Sequence, residues 1–240
     1  MSNLIRINPN DLSKVFWDKI LTNSNTKKEI MGKDFYNKID QLDKLRHQIN
    51  QPVTNTGSVT LTTSWLLFSL TLFFKPRSIV EIGSFIGKSV FGMAIASDLY
   101  LEEYPTQIYC CDYSNKIDFP NITSNKIQQF HMTSSTDMLS KIDNNVKIDL
   151  LHIDGRLEEQ DYGLLKNKIS NECIIILDDF EGIEKGVVNL INIFQKNLVS
   201  RKTHFLVYPI QNETKIKHDL YEKSTSAILL PVSKVIFTPQ

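Results

Sequence analysis

The run Ser78-Ile79-Val80-Glu81-Ile82-Gly83-Ser84-Phe85-Ile86-Gly87-Lys88-Ser89 constrains the fold more than any other part of the chain. It opens as a short apolar strand, Ser78 to Ile82, entered through Pro76. After two glycines the pattern restarts as an apolar-periodic helix from Lys88 to about Leu101. Strand, glycine loop and helix in immediate succession place backbone N–H groups and a helix N-terminus at the carboxyl edge of a parallel sheet. An anionic or carboxylate-bearing ligand is stabilised there. Glu81 is acidic in an otherwise apolar strand, a place where a nucleotide-binding sheet receives a ribose-like diol or an ammonium group. The plainer alternative is a tight turn whose glycines serve geometry alone, with Glu81 solvated.

From Ser78 onward strands and helices alternate. Strands are predicted at Ser78–Ile82, Gln107–Cys111, Ile127–His131, Ile148–Ile153 and Cys173–Leu177, and helical segments at Lys88–Leu101, Thr136–Ile142, Glu158–Ile169 and Glu184–Leu198. Strands apolar throughout, separated by helices, indicate a parallel sheet covered on both faces. Two further strands, Thr203–Ile210 and Ser226–Ile236, close the chain around the polar stretch Gln211–Lys223. Ahead of the alternation, Thr62–Phe74 reads as an apolar helix ended by Lys75-Pro76. Residues 1 to about 50 are polar, with helical spacing at Leu12, Val15, Phe16 and Ile20 and a second helix from Lys27 to about His47. Pro52 and the polar cluster Thr54–Ser58 interrupt the pattern. The expected organisation is an N-terminal helical cap, residues 1–53, before one α/β domain, residues 54–240. The cap could cover a pocket, form a dimer contact or simply pack on the domain.

Lys plus Arg equals Asp plus Glu, 27 each, and no basic tract occurs, which argues against nucleic acid as the main partner. Trp65–Phe74, the most apolar window, is half a membrane span. No apolar h-region follows the polar N-terminus, so neither a signal peptide nor a membrane partner is expected. Cys110, Cys111 and Cys173 lie in apolar strands, and the adjacent pair point to opposite faces, which disfavours their pairing. They read as reduced core thiols of a soluble, cytoplasmic protein. A homo-oligomer is compatible with this composition, which does not choose the oligomeric state.

Two glycine-loop chemistries compete for the opening stretch. A phosphate-cradling loop needs four residues between its glycines before Lys-Ser/Thr, and Gly83 and Gly87 enclose three. A dinucleotide fingerprint needs a second glycine that Ser84 to Ile86 do not supply. The pattern present is acidic-x-Gly-x-x-x-Gly-x-Ser. This stretch resembles motif I of the class I S-adenosylmethionine-dependent methyltransferases. The resemblance implies a doubly wound, mostly parallel seven-stranded, Rossmann-like sheet with an antiparallel strand near its end. It also implies cofactor contacts from Glu81, Gly83, Ser84, Gly87 and Ser89, with Glu81 facing the amino-acid part.

Asp112, in Cys110-Cys111-Asp112-Tyr113, ends the second strand roughly twenty residues past the loop, where such sheets place a carboxylate on ribose hydroxyls. Neighbouring parallel strands lie about 4.8 Å apart, so Asp112 reaches a ligand on the Gly83 loop. Tyr113 follows it. After the third strand, Ser134 precedes an amphipathic helix; the resemblance puts an adenine ring here, whereas Ser134 serves equally as a helix cap. His131 is a weaker candidate for a ligand contact.

The fourth strand ends in Ile153-Asp154-Gly155-Arg156 and the fifth in Leu177-Asp178-Asp179-Phe180. Three gathered carboxylates require raised pKa values or a counter-charge. Oxygen donors suit Mg²⁺, Mn²⁺ or Ca²⁺. Alternatively, Asp178 and Asp179 cap the next helix. These motifs resemble the metal-dependent O-methyltransferases, which include catechol-type and macrolide-sugar enzymes, over about Thr54 to Leu198. The resemblance implies that Asp154, Asp178 and Asp179 hold a divalent cation, that Asp154 and Asp179 are catalytic, and that Asp154 also lies beside the cofactor. It further implies methyl transfer to an oxygen of a small molecule or sugar.

One departure stands out. Leu157 occupies the place where those relatives carry a Lys or His base. Glu158, Glu159, Asp161 or Tyr162 could replace it, while Arg156, always protonated, suits an anionic substrate group or a salt bridge to the acidic cluster. His152 is expected to turn away from Asp154 as a core histidine. Two other classes remain: a nucleotide hydrolase using Lys88 and Ser89 on phosphates, and a methyltransferase fold that binds without catalysing, for which Leu157 is the motive.

Overall fold

The computed structural model describes residues 59–114, 126–180, 183–200, 202–209 and 225–234, together with residues 16, 35, 37–41, 123, 214–215 and 221–222. Helix α1 (Leu61–Phe74) begins where Thr60 Oγ1 accepts the N–H of Thr63 at 3.1 Å. It ends where Lys75 turns left-handed (φ 47°) and its N–H reaches the Thr71 carbonyl, just before Pro76. Then follow β1 (Ser78–Ile82), α2 (Lys88–Asp98), β2 (Gln107–Asp112), β3 (Lys126–His131), α3 (Ser135–Lys141), β4 (Ile148–Ile153), α4 (Glu159–Lys168) and β5 (Ile169–Leu177). A π turn at Ile183–Val187 leads into α5 (Val188–Gln195), and β6 (His204–Val207) and β7 (Ala227–Pro231) complete the sheet. Thr214–Lys215 and Tyr221–Glu222 make a separate antiparallel pair.

The sheet runs β3-β2-β1-β4-β5-β7-β6. The first five strands are parallel, and β7 runs antiparallel between β5 and β6. This is the expected seven-stranded, doubly wound arrangement. The order reverses at β1/β4, the switch point at which such sheets bind ligands beyond their carboxyl ends.

Strand parity divides the core. Val80, Ile82, Leu151, Ile153 and Leu177 face α3, α4 and α5 through Met138, Leu139, Leu165 and Ile193. Ile79, Ile108, Leu150, Ile174 and Ile176 face α1 and α2 through Leu66, Leu70, Val90 and Met93. Burial on both faces is why β1, β4 and β7 read as apolar runs without alternation. β5 starts at Ile169, earlier than the predicted Cys173, because its first half, through Ser170, Asn171 and Glu172, is half-buried or exposed. The predicted helix Glu184–Leu198 opens as the π turn and becomes α-helical only at Val188.

Of the two helices expected in the N-terminal cap, residues 16, 35 and 37–41 are helical; the rest, and the proposed boundary at residues 53/54, lie outside the described residues. Phe35 is fully buried, its ring 5.1 Å from that of Trp65 and 5.0 Å from that of Phe68. Phe35 and Ile39 form one cluster with Trp65 and Phe68 of α1 and Phe91, Ile95 and Ala96 of α2, whereas Phe16 packs against the cluster between these helices and the sheet. Helices α1 and α2 cross closely at Gly92, where an added Cβ would lie 2.8 Å from the Ser64 carbonyl oxygen. Ser64 Oγ also donates to the Lys88 carbonyl. Gly92→Ala is therefore expected to destabilise the protein by about 1–3 kcal/mol through forced separation of the two helices, read as a lower urea midpoint at unchanged slope.

Candidate active site

The Gly83–Gly87 loop is built from the end of β2. Gly83 and Ser84 both donate their N–H to the Cys111 carbonyl at 3.0 Å, and Ser84 Oγ does so at 3.2 Å. Gly83 (φ 87°) and Gly87 (φ 76°) are left-handed, which explains glycine at both. A Cβ on Gly83 would sit 2.8 Å from the Asp154 carbonyl oxygen, so the loop lies directly against the end of β4. Gly87 starts α2 without a side-chain cap.

Asp112 ties the loop to β2. Its Oδ2 accepts the Phe85 N–H and its Oδ1 the Ser114 N–H, each at 2.7 Å. A carboxylate has further lone pairs beyond these two bonds. Tyr113 is largely exposed and donates to Glu158 Oε1 at 2.6 Å, which pushes its pKa up to about 12. Ser134 takes the capping role: its Oγ accepts the Asp137 N–H at 3.0 Å at the start of α3. His131 is exposed, in register with Asp112 on the neighbouring strand.

Beneath the loop lies a closed polar cluster. Glu81 is fully buried; its Oε1 accepts the Ser89 hydroxyl and stands 3.2 Å from His152 Nδ1. That separation makes an ion pair, but the ring N–H is not aligned as a hydrogen bond. Among the described residues, Glu81 Oε2 and His152 Nε2 are buried without a hydrogen-bond partner. Burial pulls His152 toward its neutral form, the charge of Glu81 outweighs it, and the imidazole pKa is pushed up to about 9. His152 is buried as the core histidine expected, but it faces Glu81 and does not turn away from the polar residues. It lies opposite Glu81 in the parallel register and shares a strand face with positions two residues away. Ser89, expected at the cofactor, is buried against Glu81.

The acidic strand ends do not converge as a ligand set. Asp178 is buried, and its Oδ1 accepts both the Thr225 and Ser226 hydroxyls at 2.9 and 2.8 Å, so it is bound to the start of β7. Asp179 is left-handed (φ 51°) and half exposed. Between it and Asp154 stands Lys185, with Nζ 2.7 Å from Asp179 Oδ2 and 3.6 Å from Asp154 Oδ1. Burial works against the Lys185 charge, but the two carboxylates outweigh it and its pKa rises. Burial, with repulsion from Asp178, pushes Asp154 up to about 7 despite the opposing effects of His152 and Lys185. Among the described residues no group of three or more His, Cys, Asp or Glu is arranged to hold a metal ion. As arranged, Asp154, Asp178 and Asp179 do not fit a divalent cation.

The substitutes for the missing base are engaged or buried. Glu158 accepts from Tyr113 and Thr136, and Glu159 pairs with Lys196. Asp161 is fully buried under the Ser135 and Thr136 hydroxyls and the Glu158 N–H, and Tyr162 is buried too. Leu157 belongs to the core. Arg156 Nε donates to the Glu184 carbonyl at 2.7 Å, so the cation of the acidic cluster is Lys185. Linear motifs did not single out Lys185, nor Asn189, which bridges the Leu157 N–H and the Gly155 carbonyl from α5. The one sequence cue was a Lys-Gly pair opening a segment read as plain helix.

Residues 80–180 match the family profile described as a methyltransferase domain. No match was found among curated proteins. Among solved structures, the O-methyltransferase TomG from Streptomyces achromogenes, involved in tomaymycin synthesis and in complex with SAM, shares 16% identity at a TM-score of 0.54. The match covers 81% of this chain and 89% of that one. An O-methyltransferase from Bacillus cereus in complex with SAH gives 16% and 0.54, over 81% of this chain and 90% of that one. An SAH-bound methyltransferase from Podospora anserina gives 14% and 0.51, over 87% and 96% respectively. At these identities the likeness is one of fold. Residues 80–180 thus resemble a methyltransferase domain, and the chain has the fold of these solved methyltransferases.

Proposed function

We propose that this chain transfers a methyl group from S-adenosylmethionine to an oxygen atom of a small molecule or sugar. The observation that carries the reading is the joint between the Gly83–Gly87 loop and the end of β2. Two left-handed glycines, a helix start without a side-chain cap and the Asp112 carboxylate all meet at the switch point of the sheet. The residues fit the cofactor. Asp112 retains lone pairs for ribose hydroxyls. Among the described residues Glu81 Oε2 is a buried acceptor without a hydrogen-bond partner, suited to an ammonium. The uncapped start of α2 favours a carboxylate. When bound, S-adenosylmethionine supplies an electrophilic methyl group on a positively charged sulfur that leaves as a neutral thioether.

The chain's own residues supply position and proton transfer. Asp154, at the end of β4 beside Gly83, is the carboxylate whose pKa near 7 suits acceptance of a hydroxyl proton at neutral pH. Lys185 holds Asp154 and Asp179 in place and presents positive charge to an acceptor oxygen. Among the described residues, no helix is long and apolar enough to cross a membrane. The free, buried thiols Cys110, Cys111 and Cys173 are consistent with a cytoplasmic setting.

Titration calorimetry with S-adenosylhomocysteine tests the reading. Saturable binding is expected, and Asp112→Ala should weaken it by roughly tenfold or more, through lost ribose contacts and a loosened Phe85 N–H. No binding by the wild-type chain, or equal binding by the variant, would sink it.

A further inference from the structure

The acidic strand ends already have a counter-charge, and the backbone holds it there. Lys185 lies on the π turn Ile183–Val187, and the next residue, Gly186, is pressed against the segment that carries the aspartates. A Cβ on Gly186 would meet the Asp178 carbonyl oxygen at 2.6 Å and Phe180 Cα at 2.9 Å. From the other side, Arg156 Nε donates to the Glu184 carbonyl and holds the same turn to the end of β4. Thr225 and Ser226 meanwhile draw Asp178 Oδ1 toward β7, leaving Asp154 and Asp179 as the two carboxylates on either side of the ammonium.

We propose that Lys185 stands in this chain where a divalent cation would otherwise sit between Asp154 and Asp179, so that the acceptor subsite works on a lysine ammonium and takes no metal. The inference rests on the methyl-transfer reading for what the subsite accepts, but the occupancy of the site is tested apart from it. An ammonium at 2.7 Å from Asp179 and 3.6 Å from Asp154 repels an incoming dication and neutralises the carboxylates that would attract one. Of its three N–H donors, those not taken by Asp179 and Asp154 are offered to an acceptor oxygen, where a metal would offer an open coordination position. Lysine fits this role because its compact, strongly hydrated ammonium resembles a small metal ion more closely than a planar guanidinium does.

The test is calorimetric titration of the full chain with MnCl₂, with S-adenosylhomocysteine titrated in parallel into each protein. The wild-type chain should show no saturable Mn²⁺ binding. Lys185→Met, which keeps the aliphatic stem, should gain Mn²⁺ affinity by roughly tenfold or more, and adding Asp179→Asn should remove the gain. Lys185→Gln serves as a second variant if Lys185→Met does not fold. Saturable Mn²⁺ binding by the wild-type chain that Asp154→Asn or Asp179→Asn abolishes would overturn the proposal. A folded Lys185 variant with no gain in Mn²⁺ affinity would also overturn it. Failure of wild-type S-adenosylhomocysteine binding removes the cofactor reading alone, since the Mn²⁺ arm does not depend on it.

Discussion

Glu81→Ala is expected to lower the stability of this protein by about 3–5 kcal/mol, because it strands a buried partner charge. Glu81 lies wholly inside the sheet, opposite His152 in the β1/β4 register, and takes the Ser89 hydroxyl from α2. Removing the carboxylate leaves the imidazole without its anion and the hydroxyl without its acceptor. The loss should depend on pH in a definite direction. Burial lowers the His152 pKa and Glu81 raises it, with a net rise from 6.5 to about 9 in the folded chain. A group whose folded pKa is raised contributes fully below its unfolded value and loses that contribution as pH rises through the folded value. The wild-type advantage over Glu81→Ala should thus be greatest below about pH 6.5 and shrink toward pH 9. Urea unfolding of both proteins across that range measures it. A difference that stays flat with pH would mean that His152 is neutral in the fold.

Gly83→Val should remove S-adenosylhomocysteine binding and lower stability by about 2–5 kcal/mol, combining backbone strain with overpacking. Valine is poorly tolerated at a φ of 87°, and its Cβ would fall 2.8 Å from the Asp154 carbonyl oxygen. The relief available is to move the loop off the end of β4, which breaks the paired N–H bonds of Gly83 and Ser84 to Cys111. Calorimetric titration together with thermal unfolding checks both effects. Wild-type affinity in the variant would show that the close approach of loop and strand is not needed for the ligand.

Legibility followed the range of the interactions. β1 and β4 have the predicted limits, because each is bounded by local punctuation and buried on both faces. β5 was read short because polar residues fill its less buried half. The acidic positions at the ends of β2, β4 and β5 were found from motif spacing, but their partners were not. Ser134 proved to be a cap, Asp178 is held by hydroxyls from β7, and Asp161 is enclosed by α3. Those contacts join residues far apart in the chain, and no periodicity records them.

Sequence alone determined the strand–glycine–helix unit, the doubly wound sheet and the placing of Asp112, Asp154 and Asp179 at the carboxyl ends of their strands. Backbone geometry and burial impose those features residue by residue. Tertiary structure decided what neutralises the acidic end of the sheet. Lys185 reaches Asp179 because Gly186 lets a π turn press against residues 178–180, and Arg156 is turned instead to the Glu184 carbonyl. A charge finds its partner by proximity in the packed molecule, and here a backbone contact too close for any side chain sets that proximity.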